Sequence, residues 1–213
     1  MKLYGKTLLF KRGLSINIYL TMRCNLMCDF CCVMANRVRC EEMTLDEWKR
    51  WFTLFPHRIK EISMTGGEPT LTDYYPELCV WLLDRGIHIS LATNLHHVTL
   101  NRDWPLLRIM PRYSFQVSAT CHAEPEPFET TVRCLRALGY RVNVREVGTH
   151  MVKGSLVKRE MGREELYSEN THSLHVAPDG TIYVNPHEMI CHLARRNGDE
   201  YDYLGGRIIS RTR

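Results

Sequence analysis

The feature that most restricts the fold of this chain is a repeated exchange of strand and helix between Ser15 and Val147. "SINIYLT" (Ser15 to Thr21) is a β-rich run. In "TLDEWKRWFTLF", Thr44 precedes Glu47 by three residues, the capping-box pattern, and Trp48, Trp51, Phe52 and Phe55 recur at helical spacing until Pro56 stops the run. "IKEISMT" (Ile59 to Thr65) reads as the second strand. The helix after it carries Tyr75, Leu78, Cys79, Leu82 and Leu83 on one face, with Gly86 as its C-terminal cap. "IHISLAT" (Ile87 to Thr93) alternates strictly, and "YSFQVSA" (Tyr113 to Ala119) is the next strand. Phe128, Val132, Leu135 and Leu138 then line a helix before Gly139, and "YRVNVREV" (Tyr140 to Val147) closes the series. Strands alternating with helices of this length predict βαβ units and a parallel sheet, curved into a barrel or part of one.

Two segments depart from the repeat. "KGSLVKREMGREELYSEN" (Lys153 to Asn170) is charged and weakly patterned, as expected of a solvated helix or loop, with a substrate-covering lid as the alternative. "SLHVAPDGTIYV" (Ser173 to Val184) sets an Asp-Gly turn between apolar runs, the mark of a β-hairpin. The expected organisation is an extension over 1–14, a core over 15–152, the charged segment over 153–171, and a hairpin appendage with its tail over 172–213.

At 213 residues with 44% hydrophobic content, the chain can bury one sizeable core. Its net charge of +4 is spread along the sequence, apart from a modest cluster at Arg207, Arg211 and Arg213, so nucleic acid is not indicated. No apolar run reaches the roughly 18 residues that span a bilayer, and the N-terminus lacks the marks of a secretory signal. A cytoplasmic setting without membrane partners is expected. In that reducing compartment an odd number of cysteines, nine here, with a tight cluster points to metal binding or catalysis rather than disulfides.

The cluster is "TMRCNLMCDFCC", directly after the first strand. Cys24, Cys28 and Cys31 are spaced C-x3-C-x2-C, too tight and asymmetric for a zinc ribbon, and Cys40, Cys79, Cys121, Cys134 and Cys191 supply no second pair. Three thiolates on one short loop suit three corners of an iron-sulfur cubane and leave one iron open for chemistry. The spacing by itself also allows a simple electron-carrying cluster or a fortuitous cysteine-rich loop. The loop's place at the C-terminal end of a strand is where parallel βα folds bind ligands. "TGGEPTL" (Thr65 to Leu71) ends the second strand in the same way: its glycines let the backbone approach a ligand closely, Glu68 adds an acceptor and Pro69 fixes the exit.

"LTMRCNLMCDFC" and "TGGEP", in this order and at strand ends, resemble the radical S-adenosylmethionine (radical SAM) enzymes. The resemblance implies an α/β fold, a partial, open (β/α)5-6 TIM-like barrel with a small C-terminal hairpin. It implies Cys24, Cys28 and Cys31 as ligands of a 4Fe-4S cluster that chelates SAM, Phe30 beside the adenine, and Gly66, Gly67 and Glu68 receiving the methionyl amino group. It further implies reductive cleavage of SAM to a 5'-deoxyadenosyl radical that abstracts hydrogen from a substrate, with an electron donor such as flavodoxin or ferredoxin. A non-catalytic iron-sulfur protein for electron transfer or sensing is the competing class; it has no need of the Gly-Gly-Glu-Pro segment. A zinc-binding module ranks third.

Strand alternation adds further candidates. Gln116 and Ser118 share a face opposite Phe115 and Val117, and Asn143 and Arg145 share one opposite Val142 and Val144. Ser118, Asn143 and Arg145 are therefore candidates for the SAM ribose and carboxylate, Arg145 through a charge-assisted hydrogen bond. Asn94, in an "ATN" segment similar to one common in the family, is expected to line the same cavity. For each of these four a surface or capping role is the alternative. Cys32 is read as a small buried residue, Cys79 and Cys134 as core, and His172, His175, His187 and His192 as surface or locally hydrogen-bonded groups. The tail "SLHVAPDGTIYVNP…YLGGRI" resembles a shortened SPASM or twitch hairpin whose flanking cysteine is replaced by Asn185, so a full auxiliary cluster is not expected. Peptide modification follows from that branch as the favoured substrate class.

Overall fold

The computed structural model describes residues 14–28, 31, 33–54, 59–96, 104–122, 125–145, 173–183, 186–196, 201–204 and 207–210. Phe30, Cys32, Phe55 and the charged segment from Lys153 lie outside the described residues.

The βα repeat folds as its periodicity predicts. β1 (Leu14–Tyr19), β2 (Ile59–Thr65), β3 (His88–Thr93), β4 (Phe115–Thr120) and β5 (Arg141–Arg145) pair in parallel, each with the next. α1 (Leu45–Leu54), α2 (Tyr75–Leu83) and α3 (Pro125–Ala137) connect them. The seven-stranded sheet runs β5-β4-β3-β2-β1-β6-β7, with β6 (Ser173–Val176) and β7 (Ile182–Tyr183) at its far side.

Strand register gives the sheet two distinct faces. Ile18, Met64, Leu91, Val117 and Val142 are successive partners from β1 to β5, and Val176 continues the row beyond β1. All of these join the main core, where Trp48, Leu78, Leu82, Phe128, Val132 and Leu135 of the helices cover them. One residue earlier along each strand stand Asn17, Ser63, Ser90, Gln116 and Arg141, with His175 on β6. Side chains alternate across a strand, so this polar row faces the opposite side, away from the helices.

The helix boundaries follow from local chemistry. At the start of α1, Thr44 Oγ1 accepts from Glu47 N at 3.3 Å while Thr44 N donates to Glu47 Oε2 at 2.8 Å, the reciprocal bonds of a capping box. α2 ends as expected, with Gly86 at φ +75° and Ile87 N returning to Leu82 O at 3.3 Å. Cys79 on α2 is fully buried, as read, whereas Cys134 on α3 is half-buried. Leu138 departs from expectation: α3 stops at Ala137, and Leu138 is 54% exposed in the turn before Gly139.

The C-terminal part differs most from its sequence reading. The Asp-Gly hairpin forms, with Gly180 N donating to Ala177 O and Ala177 N to Thr181 O. Its first strand, β6, pairs parallel to β1, so the hairpin extends the main sheet instead of standing beside it. A fourth helix that the sequence analysis missed, α4 (Pro186–Arg196), follows, and then the antiparallel pair β8 (Tyr201–Leu204) and β9 (Arg207–Ser210). α4 buries Met189, Ile190, Leu193 and Ala194 in a second core with Tyr19, Met22, Met34, Val38, Ala177 and Tyr183. This core lies behind the cysteine loop.

The hairpin turn is seated on the start of α1. Met43 N donates to Pro178 O at 2.9 Å and Trp51 Nε1 to Gly180 O at 3.0 Å. Gly180 has φ +79°, and a Cβ there would stand 3.0 Å from Met43 Sδ. Gly180→Ala is therefore expected to destabilise the chain by about 1–3 kcal/mol, the order of one strained non-glycine residue. Denaturant unfolding monitored by tryptophan fluorescence measures it, and an unchanged midpoint would contradict the seating.

Candidate functional site

The C-terminal ends of β1 to β5 surround one cavity of about 320 Å3. Cys24, Cys28 and Cys31 line it from the loop after β1. Gly66, Gly67 and Glu68 line it after β2, Asn94 after β3, Thr120 and His122 after β4, and Arg145 ends β5. Residues far apart in the chain meet here because parallel strands deliver all their C-terminal ends to one edge.

The first two loops are joined backbone to backbone. Leu20 N donates to Thr65 O, Gly67 N to Thr21 O at 2.7 Å and Glu68 N to Arg23 O at 2.8 Å. A Cβ on Gly66 would lie 2.3 Å from Thr21 O, and one on Gly67 only 2.0 Å from Arg23 O. The glycine pair thus admits the neighbouring main chain, a role the sequence analysis did not assign. A second clasp holds the other side: the Thr21 hydroxyl donates to Glu42, and Arg23 meets both Glu42 oxygens, Nε at 3.0 Å and a terminal nitrogen at 2.9 Å.

Glu68 is 1% exposed and ties β2 to β3. Its Oε1 accepts from Thr70 N, Thr70 Oγ1 and Thr93 Oγ1, and its Oε2 from Asn94 N at 2.8 Å. Burial pushes its pKa up against the pull of these donors, and the net displacement is upward. A carboxylate offers about four lone-pair positions, so Oε2 keeps one acceptor position unfilled by these bonds.

Each sulfur has a nitrogen near it. Leu26 N donates to Cys24 Sγ and Ala35 N to Cys31 Sγ, both at 3.4 Å, while His122 Nδ1 stands 3.8 Å from Cys28 Sγ. Asn94 Nδ2 is 3.8 Å from Cys24 Sγ and 2.9 Å from Asn25 Oδ1. Burial pushes the Cys24 thiol up, and Glu68, Cys31 and Cys28 push in the same direction. Three thiolates gathered beside a buried carboxylate therefore need a cationic guest to stay ionised together. Among the described residues no group of three or more His, Cys, Asp or Glu is arranged to hold a metal ion. Three soft thiolate donors lining one cavity are the donor type that iron-sulfur clusters take.

Of the residues singled out from the sequence, Cys24, Cys28, Cys31, Gly66, Gly67, Glu68, Asn94 and Arg145 come together at this cavity. Ser118 does not line it; it is buried, with its hydroxyl 3.0 Å from that of Ser90. Asn143, its partner on β5, is exposed and also outside the lining. Thr120 and His122 were missed, although the strand-end rule applied to Asn94 reaches them equally. Thr93, which holds Glu68, was missed because its role depends on a neighbour 25 residues away.

A family model described as the radical SAM superfamily matches residues 18–119, a little under half of the chain. Its members use a 4Fe-4S cluster and SAM. Among curated proteins, the sporulation killing factor maturation protein SkfB of Bacillus subtilis (strain 168) is 30% identical over 111 residues, 49% of this chain and 26% of that protein. An S-adenosylmethionine-dependent nucleotide dehydratase of Thermoplasmatales archaeon (strain ISO4-H5) is 29% identical over 94 residues, 42% of this chain and 32% of that protein. The match therefore spans about a quarter to a third of these relatives' length. Among solved structures, BtrN in complex with AdoMet and 2-DOIA has a TM-score of 0.62 at 13% identity, over 85% of this chain and 76% of that one, a likeness of fold. Among the described residues no helix is long and apolar enough to cross a membrane.

The backbone junction makes a direct prediction. Gly67 needs no left-handed φ, so it is contact with the main chain of Arg23 and Met22 that forbids a side chain there. Gly67→Ala is expected to destabilise the chain by about 1–3 kcal/mol through overpacking against main chain that cannot rotate away. Urea unfolding together with faster exchange of the residue 67 amide would show it; parent-like values for both would refute it.

Proposed function

We propose that this chain is a radical SAM enzyme whose reaction is carried out in the cavity at the strand ends. The observation that carries the reading is the meeting, around one 320 Å3 space, of three cysteine sulfurs, the Gly66–Glu68 turn and Arg145. In this assignment Cys24, Cys28 and Cys31 hold the 4Fe-4S cluster. The vacant acceptor position on Glu68 Oε2, with the Gly66 and Gly67 main chain, takes the methionyl ammonium group. Arg145 takes the SAM carboxylate as a charge-assisted donor, Asn94 fills the wall between them, and Phe30 is assigned to the adenine. Ser118 and Asn143 are left out of the assignment because they do not line the cavity.

Held by Cys24, Cys28 and Cys31, the cluster together with SAM would supply reductive carbon-sulfur cleavage to a 5'-deoxyadenosyl radical and hydrogen abstraction from a substrate. The chain's own contribution is placement and exclusion. The bonded β1 and β2 loops fix the wall that carries the sulfurs, and Leu26, Val33, Ala35 and Ala92 supply apolar lining that limits water. A low-potential carrier such as flavodoxin or ferredoxin is the electron donor in this reading.

For the substrate we favour a peptide. Support comes from the hairpin's resemblance to SPASM and twitch tails and from a relative named as the maturation protein of a killing factor. The nucleotide dehydratase among the relatives marks a small-molecule substrate as the competing outcome. Mixing the reduced enzyme with peptides encoded nearby and with nucleotides, and reading mass changes, separates the two.

The test of the chemistry is anaerobic reconstitution with iron and sulfide, then dithionite and SAM, with 5'-deoxyadenosine read by mass spectrometry. The parent is expected to form it and Cys28→Ala to lose it. A cluster that binds while SAM stays intact, with each reductant and each candidate substrate, would shift the assignment to an electron carrier.

A further inference from the structure

Asn36 stands twelve residues after Cys24 and on the solvent side of the cysteine loop, where sequence reasoning gave it no role. Its side chain nevertheless grips the loop. Oδ1 accepts from Cys24 N at 2.7 Å, and Nδ2 donates to Cys24 O at 2.7 Å and to Leu26 O at 3.1 Å. Its own N donates to Met22 O at 2.8 Å. One amide therefore pairs with both polar groups of the Cys24 main chain, as a neighbouring strand would, and reaches Leu26 as well.

The residue type is closely specified. The two carbonyls need a donor and the Cys24 N–H needs an acceptor, so only one orientation of the amide satisfies all three contacts. Aspartate would place an oxygen against the carbonyls, and glutamine would carry the amide one methylene too far. The backbone adds a second restriction, since Asn36 has φ +64°, a conformation that asparagine and glycine adopt more readily than other residues. The same loop carries Leu26 N to Cys24 Sγ and Ala35 N to Cys31 Sγ, so a shift at residue 36 is transmitted to two sulfurs.

We propose that Asn36 is a positioning residue of the cluster-binding loop: its side-chain amide closes the loop across Cys24 and sets the direction in which the Cys24 sulfur faces the cavity. This inference rests on the cluster assignment made above. Asn36 does not line the cavity and acts through Cys24. Its exposure separates this role from general folding, because hydrogen bonds at the surface contribute little to global stability while still selecting a loop conformation.

The experiment uses the full chain and Asn36→Gly, which keeps the backbone conformation and removes only the amide, with Asn36→Asp as a second variant. In the metal-free chain, exchange of the Cys24 amide is followed by NMR. After reconstitution, iron loss to a chelator is timed and the EPR spectrum of the reduced cluster is recorded. For Asn36→Gly we expect Cys24 exchange faster by about tenfold, cluster loss faster by about tenfold and a broadened EPR signal, with the unfolding midpoint close to that of the parent. Asn36→Asp, which keeps the acceptor, is expected to retain most of the Cys24 amide protection and still lose the cluster faster.

Parent-like cluster loss and EPR in Asn36→Gly, with the parent loaded, would overturn this inference alone. A fall in the unfolding midpoint with loss of protection across the whole chain would also overturn it, by making Asn36 a folding residue. A parent that binds no cluster would remove the proposed function and this inference with it.

Discussion

The site depends first on a contact between two stretches of main chain. The carbonyls of Thr21 and Arg23 accept the N–H groups of Gly67 and Glu68, and no side chain fits between them. Two βα loops that each carry part of the chemistry are thereby held in one unit. Side chains on flexible loops drift by ångströms, whereas backbone hydrogen bonds between strand ends inherit the rigidity of the sheet. The glycines keep a second use, since the same lack of Cβ leaves main-chain groups open toward the cavity.

Charge distribution follows from that seating. Glu68 is carried into the interior by a backbone that cannot move, and the fold compensates with donors from Thr70, Thr93 and Asn94. Glu68 so joins three strand ends: it follows β2, its main-chain N–H reaches Arg23 after β1, and its carboxylate oxygens accept from Thr93 and Asn94 at the end of β3. Beside it, Cys24 is pushed toward its neutral form by burial and by like charges. The site thus gathers groups of one sign, and in the proposed reading iron and the ammonium of SAM are of the opposite sign.

Much of this was legible because period and spacing are local properties. The five parallel strands, the Thr44 capping box, the α2 face and the Gly86 cap were all visible in windows of a few residues, and each formed where the pattern placed it. The three cysteines and the Gly-Gly-Glu turn were visible because a strand end needs no tertiary knowledge to be recognised. Ser118 shows where this reasoning stops. Alternation gave the correct polar face, but the partner on that face is Ser90 of the adjacent strand, at 3.0 Å, and not the cavity. Asn36, Thr93 and His122 were missed for a related reason: what they do is set by partners that only the folded chain brings close. α4 was missed because Asn185 and Pro186 were read as the end of a hairpin, although proline is also favoured in the first turn of a helix.

The C-terminal hairpin poses the remaining question, since a segment resembling a metal-holding tail carries Asn185 where that pattern has a cysteine. The packing supplies a reason for it to persist. β6 pairs with β1 immediately before the cysteine loop, and α4 presses Met189, Ile190, Leu193 and Ala194 against Met22, Met34 and Val38 on either side of it. At roughly 25 cal/mol per Å2 of apolar surface, a group of this size contributes several kcal/mol, enough to bias a loop between ordered and disordered states. The sulfurs thus line the cavity while the chain that carries them rests on an apolar floor built from the C-terminal segment. A tail in that position is constrained by what it packs against, independently of any metal.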